Sequence, residues 1–260
     1  MTSTVAEPTR DDRAAVEKAI SLLVAFGEDA TSGLGVSELA RRAQLSKSTA
    51  FRVLGMLERN GVVERSGRGY RLGERLHQLG RAVYAPGHER VRDLLLPFLT
   101  ELYEATRQTV HLAALHGTDV FYLAKLYGHR AVPAPSRIGG RLPAHCTAVG
   151  KVLLAYDLGA AEAALSAPLP AVTARTVTDP VDLAAELAGI RSHGVAFDDE
   201  ESRLGLSCVA APVFSSGHAV AALSVAGHRG VFDPRKASGE LRRIAAAASQ
   251  AAHRHRSVLS

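Results

Sequence analysis

The chain has 260 residues, of which 47% are hydrophobic and 22% charged, and its formal net charge is +5. This length exceeds one small DNA-binding module and predicts two domains, the larger with a sizeable core. The absence of any apolar run of about 18 residues and the acidic start MTSTVAEPTRDD argue against a membrane-spanning helix and a secretory leader. We therefore expect a cytoplasmic protein. Its two cysteines, Cys146 and Cys208, predict neither a disulfide framework nor a paired-cysteine zinc site.

The first predicted elements are a tail and two helices. Residues 1–11 are polar and predict a disordered tail. Asp12 could cap a helix from Arg13 to Phe26, whose apolar residues recur at helical spacing and predict a buried scaffold face. The residues of that face are Val16, Ile20, Leu23 and Val24. Ser37 is a suitable cap for a second, shorter helix, which carries Arg41 and Arg42 outward.

The third predicted helix has the strongest functional pattern. Ser46 is its expected N-cap, and Asn60-Gly61 is a left-handed stop at its far end. Helical spacing puts Ala50, Val53, Leu54 and Leu57 on one face and Ser48, Arg52, Gly55 and Arg59 on the opposite face. A helix of this kind after a tight turn and before a hairpin is typical of a winged helix-turn-helix, which places one helix in a DNA groove. The alternative is an amphipathic surface helix without a partner.

The start of this helix suits contact with DNA. Backbone N–H groups and the helix dipole at the first turn favour phosphate, so Ser46, Lys47, Ser48 and Thr49 are predicted to contact phosphate or base edges. Arg52 is predicted to enter the groove, where an arginine can bind guanine through two hydrogen bonds.

A basic hairpin follows the third helix. Val62 to Glu64 and Tyr70 to Leu72 predict short strands around a glycine-containing loop, and Arg65, Arg68 and Arg71 are predicted to contact the DNA backbone or minor groove. An ordinary hairpin with solvated arginines is the alternative. From Arg41 to Arg75 the chain has nine basic and three acidic residues, a local charge of +6, so the remainder sums to −1. Such a concentration favours a polyanionic partner, although it also occurs on solvated faces.

The rest of the chain alternates helices with strand pairs. Predicted helices cover Gly73 to Ala85, ended by Pro86-Gly87, then Glu89 to Thr106, Thr147 to Tyr156, Val181 to His193 and Ser238 to Ala252. Predicted hairpins pair Val110 to Leu115 with Val120 to Tyr127, and Ser207 to Phe214 with Ala219 to Ala226. Asp179-Pro180 and Gly194 supply the caps of the fourth helix in this series. This order predicts an α+β domain built on an antiparallel sheet.

Three segments together resemble the IclR family of bacterial transcriptional regulators: LSKSTAFRVLGMLERNGVVER, GGRLPAHCTAVGKVLLA, and GVAFDDEESRLGLSCVAAPVF with AALSVAGH. The resemblance covers nearly all of the chain. It implies a winged helix-turn-helix over residues 12–72, a linker helix over 73–87 and a GAF-like effector-binding domain over 88–260. It further implies a homodimer or tetramer that binds double-stranded DNA at a palindromic operator and a transcriptional response, repression or activation, to an effector.

The effector that the resemblance implies is a small organic acid, often aromatic. Matching the family motifs places Leu142, Ala148, Val149, Asp198, Cys208 and Ser224 around its pocket, with Ala131 and Ala134 from a neighbouring loop. The pattern is physically reasonable because N–H groups near the start of the predicted helix from Thr147 can hold a carboxylate. In the acidic run from Asp198 to Glu201, only Asp198 is expected to turn inward.

Other classes of function have weaker support. His145-Cys146 could be a thiolate and its base, but no third group orients them, so no catalytic residue and no enzyme activity are predicted. His111, His145, His193 and His228 could meet in space around zinc, yet no ligand spacing indicates this, and neither metal nor cofactor is predicted. The alternatives to a regulator are an enzyme carrying a basic nucleic-acid-targeting module and an architectural DNA binder without an effector.

Overall fold

The computed structural model of the chain describes residues 14–27, 33–83, 88–130 and 133–255. It divides into two compact units, Met1–Val83 and Tyr84–Ser260. The first contains helices α1 (Ala15–Val24), α2 (Val36–Arg42) and α3 (Lys47–Arg59), strands β1 (Val63–Ser66) and β2 (Gly69–Leu72), and helix α4 (Glu74–Val83). This order confirms the predicted helix-turn-helix with a following hairpin. The tail over residues 1–11 and Pro86-Gly87 lie outside the described residues.

Helix α1 differs from its prediction in length and orientation. Ala14 is at its N-cap position, and the Ala14 N–H donates to the Glu17 carboxylate at 2.9 Å. The predicted cap, Asp12, lies outside the described residues. The predicted buried face is wrong, since Val16, Ile20 and Val24 are 68%, 55% and 73% exposed. The buried residues are instead Leu22 and Phe26, with Ala19 and Leu23 packed beside them. Apolar residues occur all around this short helix, so periodicity alone did not select the inner face.

Helix α2 and the hairpin also differ in detail from the prediction. Gly35 precedes α2 at the N-cap position, which leaves Ser37 exposed inside the helix. Strands β1 and β2 are longer than predicted and are joined by Gly67-Arg68 alone, with Gly67 at a φ of +58°. Leu34 forms an isolated bridge with Tyr70, and a Cβ at Gly69 would lie 2.7 Å from the Leu34 oxygen. Glycine at 69 therefore lets a third segment close against the hairpin.

The second unit is a three-layer α+β structure. Its elements are α5 (His88–Thr106), β3 (Thr109–His116), β4 (Asp119–Leu126), β5 (Arg141–Pro143), α6 (Ala148–Tyr156), α7 (Leu158–Leu165), α8 (Pro180–His193), β6 (Ala196–Asp199), β7 (Leu206–Ser215), β8 (His218–His228) and α9 (Pro234–Arg254). The strands form one antiparallel sheet in the order β5-β4-β3-β8-β7-β6. Helices α5 and α9 cover one face and α6, α7 and α8 the other, each over its own apolar core. The predicted α+β class is confirmed.

Most predicted elements of this unit are present with small shifts in their ends. The two hairpins are β3–β4 and β7–β8, and Asp179 and Gly194 have the predicted capping roles. Thr147 was predicted as the first residue of its helix and is instead the N-cap of α6. Helix α9 starts earlier than predicted, because Asp233 accepts a hydrogen bond from the Arg235 N–H at its first turn. Strands β5 and β6 and helix α7 were missed. The two strands have only three and four residues, too few for a clear alternation.

Candidate functional site

The first candidate site is the outer face of α3. Ser46 caps the helix, since its Oγ accepts from the Thr49 N–H at 3.2 Å. Ala50, Val53 and Leu54 are buried in the core of the first unit, as predicted. Ser48, Arg52 and Arg59 are exposed and Gly55 is half-buried on the opposite face. The described structure therefore offers a polar, solvent-accessible helix face that begins with a capped N-terminus.

The basic residues near α3 separate into paired and unpaired groups. Arg41 and Arg42 both contact Glu38, at 2.6 Å and 2.7 Å. The other paired cations are Arg65 with Glu58 at 3.4 Å, Arg71 with Glu64 at 2.8 Å, and Arg75, which donates to the Asn60 oxygen at 3.1 Å. Within the described part of the chain, Lys47, Arg52, Arg59 and Arg68 have no such partner. We call these four residues the unpaired cations.

The predicted DNA-contacting residues differ in whether they already have a partner within the fold. Ser46, Lys47, Ser48, Thr49 and Arg52 lie together on the first two turns of α3 or at its cap. Arg68 is at the tip of the hairpin, whereas the Arg65 guanidinium lies 4.7 Å from the Tyr70 ring centroid as well as against Glu58. The hairpin β1–β2, which is the wing of the winged helix-turn-helix, therefore has one arginine, Arg68, without a partner among the described residues. Its other two, Arg65 and Arg71, make contacts within the fold.

The second candidate site is a cavity on the α6 side of the six-stranded sheet. Its empty volume, counted together with space open to solvent, is about 300 Å³. It is lined by His111, Tyr122, Ala134, Pro135, Ser136, Leu142, Thr147, Ala148, Val149, Asp198, Ser202, Leu206, Cys208 and Ser224. All six residues predicted for the effector pocket are in this set, with Ala134, while Ala131 lies outside the described residues.

One wall of the cavity is a chain of hydrogen bonds through His111. Its Nδ1 lies 3.2 Å from the Ser224 Oγ and its Nε2 lies 2.8 Å from the Ser136 Oγ. Lys125 donates to the Ser136 carbonyl at 2.9 Å. Burial, with the nearby Lys125 charge, lowers the pKa of His111 to about 3. The ring is therefore neutral at physiological pH and holds two hydroxyl-bearing residues in fixed positions.

Hydrogen-bond donors line the cavity at the start of α6 and at Tyr122, whose ring contacts that of His111. Thr147 caps α6, as its Oγ1 accepts from the Gly150 N–H at 3.0 Å, and helix geometry leaves the N–H groups of Ala148 and Val149 without partners in the helix. Tyr122 is 5% exposed, and within the described part of the chain its hydroxyl makes no hydrogen bond. Burial raises the pKa of Tyr122 far above its ordinary value, so the phenol stays protonated and can donate.

Asp198 supplies the acidic group of the cavity. Its carboxylate accepts from the Glu201 N–H at 2.7 Å and from the Ser202 Oγ at 2.6 Å, which closes a turn after β6. Burial raises the pKa of Asp198, and these hydrogen bonds oppose the shift. The expectation that only Asp198 turns inward is wrong, because Glu201 is 7% exposed.

A buried ion cluster supports the same turn. Lys151, on α6, lies 2.6 Å from Glu201 and 2.5 Å from Glu186 on α8, and its side chain is 1% exposed. Burial lowers the pKa of Lys151, but the two carboxylates outweigh it and the net shift is upward. Burial raises the pKa of Glu201 to about 7, against the effect of Lys151. The cluster therefore ties α6, α8 and the Asp198 turn into one structure behind the cavity.

The predicted weak candidates for catalysis and metal binding gain no geometric support. The Cys146 thiol donates to the Pro143 oxygen at 3.4 Å, and burial raises its pKa to about 12, so it is not a thiolate at neutral pH. His145 contacts the Pro170 oxygen at 3.1 Å. Across the described residues, no three His, Cys, Asp or Glu side chains are grouped as metal ligands, and no helix there could cross a membrane.

Comparison with known proteins identifies both units. Residues 15–67 match the model of the IclR helix-turn-helix domain, and residues 85–254 match that of the bacterial transcriptional regulator IclR C-terminal domain. The chain belongs to the IclR family. It is 40% identical over 219 residues to the regulator XynR of Escherichia coli, which covers 81% of this chain and 84% of XynR. This IclR-family member is also 35% identical over 221 residues to KdgR of Dickeya chrysanthemi, covering 83% and 71% of the two chains.

Solved structures give the same assignment. The Thermotoga maritima IclR has a TM-score of 0.75 and 31% identity, with 90% of this chain and 97% of that chain covered. An IclR homologue from Microbacterium hydrocarbonoxydans, complexed with 4-hydroxybenzoate, has a TM-score of 0.72 and 32% identity, with 92% and 98% covered. This IclR-family chain is therefore a transcriptional regulator with a helix-turn-helix, and its relatives are named as regulators rather than enzymes.

Several cavity residues of this IclR-family chain escaped the prediction. His111 was considered only as a metal ligand, and Tyr122, Ser136 and Ser202 were not considered for the cavity. The polar residues His111 and Tyr122 in largely apolar strands were the available signal, since a buried polar side chain needs a partner. Ser136 and Ser202 lie in loops whose positions depend on tertiary contacts, so the sequence carried no comparable signal.

Proposed function

We propose that this protein binds double-stranded operator DNA through α3 and the hairpin β1–β2, and that a small organic acid in the cavity controls that binding. The observation that carries the proposal is the convergence of the six family-matched residues on one cavity that also contains the open start of α6. An operator-binding regulator acts where the chromosome is, so a cytoplasmic location follows from the proposal.

The DNA-binding part is supported by the unpaired cations. Lys47 lies at the first turn of α3, where N–H groups and the helix dipole attract phosphate. Arg52 lies one turn further on and is exposed, so it can extend into a major groove. Arg68 at the hairpin tip suits a backbone contact, while Arg65 and Arg71 contribute less because both are engaged within the fold.

The effector part is supported by the polarity of the cavity. A carboxylate fits the N–H groups of Ala148 and Val149 and the free phenol of Tyr122. Asp198 would repel that carboxylate but would accept from a hydroxyl on the same molecule. The complex of the Microbacterium relative with 4-hydroxybenzoate agrees, since that molecule has an acid group and a hydroxyl group. An acid that carries a hydroxyl donor is therefore the proposed effector class.

The effector would control DNA binding by changing how copies of the chain are arranged. A palindromic operator is read by two copies of a helix-turn-helix related by a two-fold axis, so we propose a homodimer or a tetramer made of two dimers. An acid that binds one arrangement of the copies more tightly than another shifts their populations and thereby changes operator affinity. Repression and activation are both compatible with this coupling, because the sign depends on the position of the operator.

The test combines selection of DNA with ligand screening. The purified full-length protein is used to select duplexes from a random library, with and without a panel of benzoate, 4-hydroxybenzoate and short hydroxy acids. We expect one enriched palindromic sequence, a higher melting temperature with at least one acid by mass action, and a change in duplex affinity with that acid. No enriched sequence would overturn the DNA-binding part. Enrichment without any thermal shift would favour an architectural DNA binder, and acid turnover detected by mass spectrometry would favour an enzyme.

A further inference from the structure

The outer face of α3 carries an apolar side chain that the core does not use. Phe51 is 55% exposed and does not belong to the apolar core of its unit, unlike the adjacent Ala50. Along the helix axis, Phe51 lies one turn after Lys47 and Ser48 and one turn before Gly55. The cations Lys47 and Arg52 flank it, and neither has a partner within the described residues. An exposed aromatic ring thus lies between two cations, at one edge of the outer helix face.

Gly55 is a second unusual residue on this face. Glycine is among the least favourable residues in a helix interior, and this one lies one turn after Phe51 in a helix of 13 residues. A Cβ built at Gly55 would meet only the end of the Arg59 side chain, at 3.9 Å. No contact with another described residue therefore requires glycine here. The missing side chain leaves a notch beside the Phe51 ring.

DNA, the polyanion that would bind the flanking cations, also carries an apolar group that can contact the Phe51 ring. Among the base edges in a major groove, thymine presents an apolar group, its C5-methyl, and phenylalanine is one of the side chains that contact it. We infer that Phe51 seats a thymine methyl of the operator and that the notch at Gly55 allows the helix to approach the base edge closely. Arg52 reads a polar base edge on the same face, so the pair would specify thymine beside a guanine.

This inference rests on the proposed DNA binding, and its test separates the two. The full-length protein first selects a duplex from a random library, and that duplex is then synthesised with each thymine replaced singly by deoxyuridine, which removes the methyl group alone. Affinities for wild type and Phe51→Ala are measured by fluorescence anisotropy at one salt concentration. Failure to select any duplex would overturn the proposed function, and the inference with it.

We expect one thymine in each half-site at which deoxyuridine weakens wild-type binding about fourfold, the effect of burying one methyl group. Phe51→Ala should bind the parent duplex more weakly and should lose this sensitivity. Met56→Ala is the matched control, because Met56 is the other exposed large apolar residue of α3, at 38% exposure, and lies at the opposite edge of the face. The Met56→Ala variant should still bind more weakly when that thymine is replaced by deoxyuridine. Uniform affinity across all deoxyuridine duplexes, or sensitivity that survives in Phe51→Ala, would overturn the inference while leaving operator binding intact.

Gly55→Ala tests the notch separately from folding. Because the new methyl group meets only a flexible arginine end and alanine favours helix, the melting temperature should stay the same or rise. Operator affinity should fall, since the methyl group occupies the space required by the DNA. Unchanged affinity in this variant would overturn the role assigned to the notch.

Discussion

The two candidate sites use charge in opposite ways. On the outer face of α3 and at the hairpin tip, Lys47, Arg52 and Arg68 have no partner within the described residues. Beside the cavity, Lys151 is buried and held by two carboxylates. Exposed unpaired charge costs the fold little and is available to an external polyanion. Buried charge is costly unless it is paired, so it serves the structure itself. The difference indicates which charges can be changed without unfolding the protein.

The largest expected effect comes from Lys151→Met. Removing the cation leaves Glu186 and Glu201 without their shared partner in a site where the lysine side chain is 1% exposed. Loss of one member of a buried pair costs about 3–5 kcal/mol, so the free energy of unfolding in urea should fall by that amount. Arg41→Met is the control, because Arg41 is exposed and paired with Glu38, and it should unfold at the wild-type urea concentration. Equal free energies of unfolding for the two variants would contradict the distinction drawn between buried and exposed charge.

Arg52→Ala should affect function without affecting the fold. Loss of a two-hydrogen-bond contact to a base costs about 1–3 kcal/mol of binding, so operator affinity should fall by roughly 5- to 150-fold while the melting temperature is unchanged. The Arg41 variant again serves as control and should bind normally. Wild-type affinity and sequence preference in Arg52→Ala would count against the outer face of α3 as the DNA contact.

A pH titration sharpens the description of the cavity wall. His111 has a pKa of about 3 in the folded chain against about 6.5 when unfolded. Its neutral form therefore contributes stability that is complete above pH 6.5 and is lost as pH falls from 6.5 toward 3, by about 1.4 kcal/mol per pH unit. Wild type should lose stability more steeply than His111→Gln across this window, as measured by urea unfolding at each pH. Parallel curves would show that the pKa of His111 is the same in the folded and unfolded chain, and would overturn this prediction.

The smallest effect should be that of Arg68→Ala on salt dependence. A single phosphate contact contributes about one unit to the slope of log affinity against log salt. Arg68→Ala should reduce the slope by that amount without altering sequence preference. Arg71→Ala should change it less, because Arg71 is paired with Glu64 at 2.8 Å. Equal slopes for the two variants would mean that intramolecular pairing does not decide which wing arginine contacts DNA.

The sequence predicted those features that depend on local chemistry. Ser46 and Asp179 cap helices as expected, because capping needs only a suitable side chain near the first turn. The buried face of α1 was predicted wrongly, since it depends on which neighbours pack against the helix. Cys208 and Ser224 lie on different strands, and only the resemblance to the family motif allowed both to be predicted for the same pocket. The inward position of Glu201 depends on Lys151, 50 residues away in sequence, so no local pattern could reveal it.

The cavity wall has a consequence for how regulators of this kind diversify. Much of it is formed by small side chains, among them Ala148, Cys208 and Ser224, which lie on a helix and a sheet whose other faces are packed. A single codon change at one of these positions can reshape the cavity while the apolar cores and the Lys151 cluster stay as they are. After gene duplication, a copy could therefore acquire a new inducer through few mutations and keep its ability to fold.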